Sequence, residues 1–162
     1  VTAAKADPAG LKLSWATLAD ADRLALAHAG GFPRPWERAD FEALFAGPGV
    51  FGFLALDADV PVGMVLMRIA AAEAEVLTLA VAPHLRRRGV GAALMTAALE
   101  AAGQSGAKAA FLEVGADNPG ARRLYEALGF TAAGVRPGYY DRGPDGRVDA
   151  CVMRLDLAAA AP

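Results

Sequence analysis

The spacing of hydrophobic and polar positions changes several times along the chain, and each change marks a boundary between predicted strands and helices. Residues 11–17, LKLSWAT, alternate and predict a strand. TLADADRLALAHAG follows at helical spacing, with Thr17 and Asp20 suited to cap its start. PWERADFEALFAG predicts a second helix, with proline early and Gly47 just past its end. VFGFLALDADVPVGMVLMRI reads as a hairpin turning near residues 57–59, and AEVLTLAVAP as another strand, stopped by Pro83. A long helix is predicted over about 89–105, and AAFLEV beyond it is a short buried strand. NPGARRLYEALGF is then a helix capped by Asn118, with Pro119 as its first residue and Gly129 at its end. FTAAGVRPGYY and RVDACVMRLDL give two last strands, separated by DRGPDG.

The order β-α-α-β-β-β-α-β-α-β-β predicts a mixed sheet covered by helices, an α/β (α+β) layer arrangement. At 162 residues the chain suffices for one domain with a sizeable core, and residues 1–9 and 158–162 are expected to be flexible tails. A formal net charge of −2 argues against a dedicated nucleic-acid binder, so any anion binding must be local. No apolar run reaches the roughly 18 residues of a membrane span, and VTAAKADPAG lacks the apolar middle of a signal peptide. A soluble, cytoplasmic protein without a membrane partner is expected. The single cysteine, Cys151, excludes an intrachain disulfide and a cysteine-based zinc site, and reads as an ordinary strand residue.

LRRRGVGAALM, residues 85–95, joins a buried strand to the start of the long helix. Helix N-termini carry unpaired N–H groups and a positive dipole end, which suit an anion. Gly89 and Gly91 permit close backbone approach to a phosphate, and Arg86, Arg87 and Arg88 can add charge-assisted contacts. The kinase-type loop with Lys-Ser/Thr is absent, and GVGAAL has Leu94 where a dinucleotide loop needs its third glycine. On this stretch alone, glycines that merely start a helix beside solvated arginines are an equal reading.

Two side chains downstream need explaining. Alternation in the strand 109–114 places Phe111 and Glu113 on one face and Leu112 and Val114 on the other. Glu113 lies at the carboxyl end of the strand, where ligands gather in open α/β sheets. Amid apolar neighbours its pKa should be raised and it could accept a proton, unless it simply turns to water. On the next helix Asn118, Arg122 and Tyr125 share a narrow stripe beside the core stripe of Ala121, Leu124 and Leu128. Tyr125 can thus reach a cleft with its hydroxyl, or pack at the border of the core.

LTLAVAPHLRRRGVGAALM, FLEVGADNPGARRLYEALGF and GYYDRGPDGRVDACVM together resemble the GNAT superfamily of acetyl-CoA-dependent N-acetyltransferases, and within it the bacterial ribosomal-protein-alanine N-acetyltransferases of the RimI type. The likeness runs from about residue 32 to 157 and includes the family's Arg/Gln-x-x-Gly-x-Gly/Ala loop as Arg86, Gly89 and Gly91. It implies a single GNAT-like domain, a mostly antiparallel sheet of about seven strands flanked by about four helices, and acetyl-CoA as co-substrate with no metal. It implies further that the amides of Arg87, Arg88, Gly89, Val90, Gly91 and Ala92 hold the coenzyme pyrophosphate and that Leu79, Ala80 and Val81 line its pantetheine arm. Asn118 and Arg122 would contact the cofactor, Glu113 would be the general base, and Tyr125 the acid facing the departing thiolate.

Free energies refine these roles. An α-amine has a pKa near 7.7–8.0 and lysine near 10.4, so neutralising lysine at pH 7 costs roughly 3.5 kcal/mol more, and one carboxylate suffices for the easier amine. Full proton transfer from an ordinary tyrosine to a thiolate is uphill by roughly 2 kcal/mol, which favours a hydrogen bond from Tyr125.

Some positions depart from the RimI pattern. Gly115 stands where arginine is usual, Asp117 where serine is usual, and the acceptor-side Phe-Pro-Trp is expanded to FPRPW. Phe32 and Trp36 line the acceptor groove or serve as helix packing, and Tyr139 and Tyr140 can wall the peptide site. His28 and His84 are expected at the surface. The expected acceptor is a protein N-terminal amine, such as a ribosomal alanine, with a monomer or weak dimer as the working unit. A small amine as acceptor, or a coenzyme-A-binding sensor without turnover, fits the same blocks, although the sensor leaves Glu113 and Tyr125 unexplained.

Overall fold

A computed structural model describes residues 10–158, so the expected tails fall outside the described residues except for Ala158. The elements are β1 (Lys12–Ala16), α1 (Ala21–Ala29), α2 (Arg38–Ala46), β2 (Val50–Asp57), β3 (Val60–Ala70), β4 (Glu73–Val81), α3 (Val90–Gln104), β5 (Ala109–Gly115), α4 (Pro119–Ala127), β6 (Thr131–Asp141) and β7 (Arg147–Asp156). They follow the order expected from the sequence. The start of α2 does not: it begins at Arg38, after both prolines of FPRPW, because the Asp40 carboxylate accepts the Glu37 N–H at 2.7 Å and fixes the first turn there. The first helical turn after Thr17 is a separate 3-10 turn, Leu18–Asp20, held by a 2.9 Å bond from the Thr17 N–H to Asp20.

The strands form one seven-stranded sheet in the order β1-β2-β3-β4-β5-β7-β6. Every pairing is antiparallel except β4 with β5. That parallel ladder is short, matching Glu73 with Ala109, Ala74 with Ala110 and Glu75 with Phe111, and then it ends. The carboxyl halves of the two central strands are therefore not joined.

Helices cover the two faces unequally. On one face α3 and α4 pack Val90, Leu94, Met95 and Tyr125 against Leu112, Val114 and Met153. On the other, α1 and α2 pack Leu24, Ala27 and Phe41 against Ala16, Leu54, Met64, Leu66 and Ala80, so they cover the β1–β4 half. A bulge in β4 shifts the register so that Leu66 faces Thr78 and Met67 faces Val76. The extra residue, Leu77, turns toward α1 and α2 along with Thr78.

His28 is not at the surface. It is 2% exposed and continues the buried stripe of α1 through Ala21 and Leu24. Its Nδ1 accepts the Trp36 N–H at 3.1 Å, and its Nε2 meets Thr78 Oγ1 at 3.1 Å. Burial lowers its pKa to about 4, against the weaker opposing pull of Asp40. His84 is exposed, and Cys151 is a buried residue of β7.

Between about pH 6.5 and 4 the unfolded chain binds a proton at this histidine that the folded chain refuses. Stability should accordingly fall as pH drops through that window, by roughly 3 kcal/mol at its foot. Denaturant titrations at pH 7 and pH 4 are expected to show a larger loss in wild type than in His28→Gln. Equal losses would mean that the ring is hydrated in the folded protein.

Candidate active site

The segment between β4 and α3 is a tight turn in which Arg87 (φ 61°) and Gly89 (φ 83°) both adopt left-handed backbone. Such a conformation is cheap only for glycine, which makes Gly89 the pivot that swings the chain into the helix. No side chain caps α3, so the amides of its first turn face outward from the end of β4. Arg86 is tied inward: its guanidinium donates to the Val81 carbonyl at 3.3 Å and to the Gly30 carbonyl at 3.4 Å, linking the turn to the loop after α1. Arg87 and Arg88 are exposed and make no ion pair among the described residues. A Cβ at Gly91 would lie 3.2 Å from Leu124 Cδ2, so this glycine lets α3 close on α4, a packing reason beside any approach of phosphate. Leu79 and Val81 turn toward α3 and α4, while Ala80 turns toward α1 and α2.

Glu113 lies on the opposite face from Leu112 and Val114, as alternation requires, in the half that α1 and α2 leave uncovered. Its surroundings are not apolar. Arg136 Nε pairs with its carboxylate at 2.8 Å, reaching across β7 from β6, and the carboxylate also takes a hydrogen bond from the Tyr139 hydroxyl. That bond, with the carboxylate's charge, raises the Tyr139 pKa. Tyr140 is half-buried and donates its hydroxyl to the Glu113 main-chain carbonyl at 3.3 Å; burial and then the Glu113 charge raise its pKa.

The helix that follows splits the stripe expected for Asn118, Arg122 and Tyr125. Asn118 caps α4, its Oδ1 accepting the Ala121 N–H at 3.1 Å. Arg122 faces solvent and pairs with Glu126 at 3.0 Å. Tyr125 faces the core, 8% exposed, with its ring at 6.0 Å from Phe130 in an edge-on contact. Among the described residues its hydroxyl has no hydrogen-bond partner. Burial and then Tyr140 push its pKa up to about 12.

On the acceptor side, Phe32 and Trp36 do pack on helices: both stack on the His28 ring of α1, at 4.3 and 4.9 Å between centroids and nearly parallel, and Trp36 also meets Phe41 of α2 edge-on at 5.8 Å. Tyr139 is 48% exposed and stands at 5.0 Å from Tyr140. Two of the departures from the RimI pattern, Gly115 and Asp117, lie side by side. Asp117 forms two bonds with the Arg142 guanidinium, at 2.9 and 3.0 Å, and this guanidinium also stacks at 4.8 Å on Tyr140. A Cβ at Gly115 would sit 2.4 Å from Asp117 Oδ1 and 2.9 Å from Arg142 Nη2, so a side chain there would push this exposed pair aside.

His28, Thr78, Arg136 and Arg142 join this site without having been expected in it. Only His28 carried a signal, since it falls seven residues after Ala21 on the core stripe of its helix. Two surface concavities, of about 490 Å³ beside Leu44 and Ile69 and of about 520 Å³ beside Leu99 and Leu157, lie elsewhere. The candidate site lies at the end of the β4–β5 ladder.

The sequence model of the acetyltransferase (GNAT) family matches residues 19–130. A [ribosomal protein bS18]-alanine N-acetyltransferase of Escherichia coli is 32% identical over 124 residues, which cover 76% of this chain and 82% of the relative. A crystal structure of the Escherichia coli ribosomal-protein-alanine N-acetyltransferase superposes with a TM-score of 0.82 at 28% identity, over 92% of this chain and 96% of that one. The fold is shared as well by Arabidopsis thaliana NAA60 in complex with acetyl-CoA, with a TM-score of 0.75 at 21% identity over 90% of this chain and 98% of that one. With the family's span matched and the fold reproduced over nearly the whole length, the chain belongs to the acetyltransferase (GNAT) family, enzymes that carry an acetyl group from acetyl-CoA to an amine.

Proposed function

We propose that the chain acetylates the α-amine at a protein N-terminus, an alanine of a ribosomal protein, by direct transfer from acetyl-CoA in a ternary complex. The observation that carries this reading is the position of two groups about one opening. Glu113 stands on the sheet face that α1 and α2 leave uncovered, while Tyr125 is packed on the α3–α4 face, and the β4–β5 ladder ends at Phe111, two residues before Glu113. A base that meets the amine and an acid that meets the sulfur belong on opposite sides of the bond being exchanged. The bacterial relative named for bS18 alanine, at 32% identity, supports the choice of acceptor and with it a cytoplasmic setting.

The residues present fit the coenzyme. The uncapped first turn of α3, with Arg87 and Arg88 beside it, suits the pyrophosphate through Gly89, Val90, Gly91 and Ala92. Leu79, Ala80 and Val81 lie past the end of the ladder, where backbone groups of β4 are free of β5 and can take the pantetheine amides. The buried, unpartnered hydroxyl of Tyr125 is the third sign, since a buried donor without an acceptor is costly and a thioester sulfur would satisfy it. Asn118 caps α4 just after the end of β5, whereas Arg122, paired with Glu126, reaches a cofactor only by changing partner. Bound acetyl-CoA supplies the thioester carbon that the amine attacks.

Glu113 takes the proton of the α-ammonium, directly or through one water, while Arg136 and Tyr139 hold its carboxylate in place. Tyr125 acts mainly by hydrogen bonding. With a pKa of about 12, full transfer to an ordinary thiolate would be uphill by roughly 5 kcal/mol. Most of the acceleration comes from holding the two reactants together beside fixed N–H groups.

Acetyl-CoA consumption with an Ala-starting peptide, the same peptide Nα-blocked, and a panel of polyamines and amino acids tests the acceptor. Turnover only with the free α-amine is expected; turnover of small amines alone would replace this reading with the small-molecule one. Glu113→Gln is expected to lower kcat by roughly 10²–10⁴, with part of the loss recovered toward pH 9.5 as the amine arrives deprotonated. Rates equal to wild type from pH 6 to 9.5 would remove Glu113 as base. Tyr125→Phe should lower kcat by roughly 10–100-fold, the worth of one hydrogen bond to a charged group, and leave acetyl-CoA affinity nearly intact. Its melting temperature should hold or rise, because the variant deletes an unpaired buried hydroxyl; a wild-type kcat would make Tyr125 a packing residue.

A further inference from the structure

We infer that His28 is a positioning residue for the acceptor: its imidazole clamps the loop that carries Phe32 and Trp36 onto the bulge of the strand that runs beside the acetyl group. The inference rests on the acceptor reading given above. It begins with hydrogen-bond chemistry. A backbone N–H can only donate, so Nδ1, which faces the Trp36 N–H at 3.1 Å, carries no proton, and the ring's proton is on Nε2, donated to Thr78 Oγ1 at 3.1 Å. One ring thus joins α1, the loop after it and β4.

No helix or strand spans residues 30–37. Besides the imidazole, the segment is held at its ends by the Gly31 N–H on the His28 carbonyl at 2.9 Å, the Arg86 bond to the Gly30 carbonyl and the Glu37 N–H on Asp40, and by the edge-on contact of Trp36 with Phe41. It lies directly on β4: a Cβ at Gly31 would be 3.0 Å from the Ala80 Cβ. Phe32 and Trp36 sandwich the imidazole, and Phe32 remains 40% exposed, on the side of the sheet that α1 and α2 cover. The clamp depends on the bulge, which places Leu77 and Thr78 both on this side of the sheet. The side chains of Leu79 and Val81 turn to the other side of the sheet, so on the cofactor assignment given above a loosened loop should disturb the acceptor more than the cofactor. Of the charged groups on α2, Asp40 is the one that acts on the ring, too weakly to keep it protonated, so the clamp holds at every pH at which an α-amine can react.

Two substitutions separate the parts. Thr78→Val removes the acceptor of the Nε2 proton at constant volume, and His28→Phe keeps an aromatic ring between Phe32 and Trp36 but deletes both hydrogen bonds. Each is expected to raise the KM for an Ala-starting peptide by about tenfold or more, with kcat changed less than about threefold and acetyl-CoA affinity within about twofold. The double variant should lose little beyond His28→Phe alone, since the Thr78 bond is already gone. Hydrogen exchange at the Trp36 amide should quicken at least tenfold in His28→Phe, whether or not any acceptor is present. Active variants with an unchanged peptide KM would overturn the positioning role, as would parallel losses in kcat and acetyl-CoA affinity, which mark a merely structural histidine. Wild-type protein that turns over no α-amine would instead sink the acceptor reading on which this one stands.

Discussion

The early end of the parallel ladder between β4 and β5 is the constraint on which the rest of the structure depends. Three residue pairs join the strands, and past Glu75 and Phe111 they make no further pairing. Backbone groups within a sheet must find partners, so an unpaired stretch at its centre is stable only beside something that can supply them. Everything assigned to the reaction borders this opening. The loop of Gly89 follows the carboxyl end of β4, Glu113 and Gly115 close the carboxyl end of β5, and α4 begins just after it. The crossover through α3 is what parallel neighbours demand, and it delivers a helix N-terminus to the same end of the sheet.

The sheet then acts as a partition. Tyr125 is sealed among apolar neighbours on one side, which raises its pKa to about 12 and makes it a donor that keeps its proton. Glu113 stands on the other side among polar partners, Arg136 and Tyr139, that hold it in one orientation. Tyr140 bridges the two halves, with its hydroxyl on the Glu113 main-chain carbonyl and close enough to Tyr125 to affect its titration. The Asp117–Arg142 pair ties the hairpin carrying Tyr140 to the loop that leads into α4. Being exposed, this pair contributes little to stability, and its guanidinium stacks on the Tyr140 ring.

Much of this was legible in the sequence because it is periodic or local. Each strand and helix followed from spacing, the face of Glu113 from alternation, and the turn at Gly89 from glycine beside an apolar helix start. What was hidden is lateral. The Arg136 partner of Glu113 depends on two strand registers and an irregularity between Arg136 and Tyr140, none of which a single sequence states. Arg122 and Tyr125 lie about 60° apart on a helix wheel. That is enough to send one to solvent and the other to the core. His28 was readable from its place on the core stripe, but the residue type argued for the surface, since a buried imidazole needs two partners that lie 8 and 50 residues away. The approach of the Asp117–Arg142 pair to Gly115 required the fold itself.

If amine and thioester meet at the end of the ladder from opposite faces, one molecule that joins them should span the opening. Calorimetry can measure the affinity of coenzyme A linked through an acetyl spacer to the α-nitrogen of an Ala-starting peptide, beside coenzyme A alone, the peptide alone, and a conjugate linked through a lysine side chain. The account predicts that the α-linked conjugate binds more than about 100-fold tighter than either half, and that the lysine-linked one gains far less. An α-linked conjugate that binds no tighter than coenzyme A would contradict it.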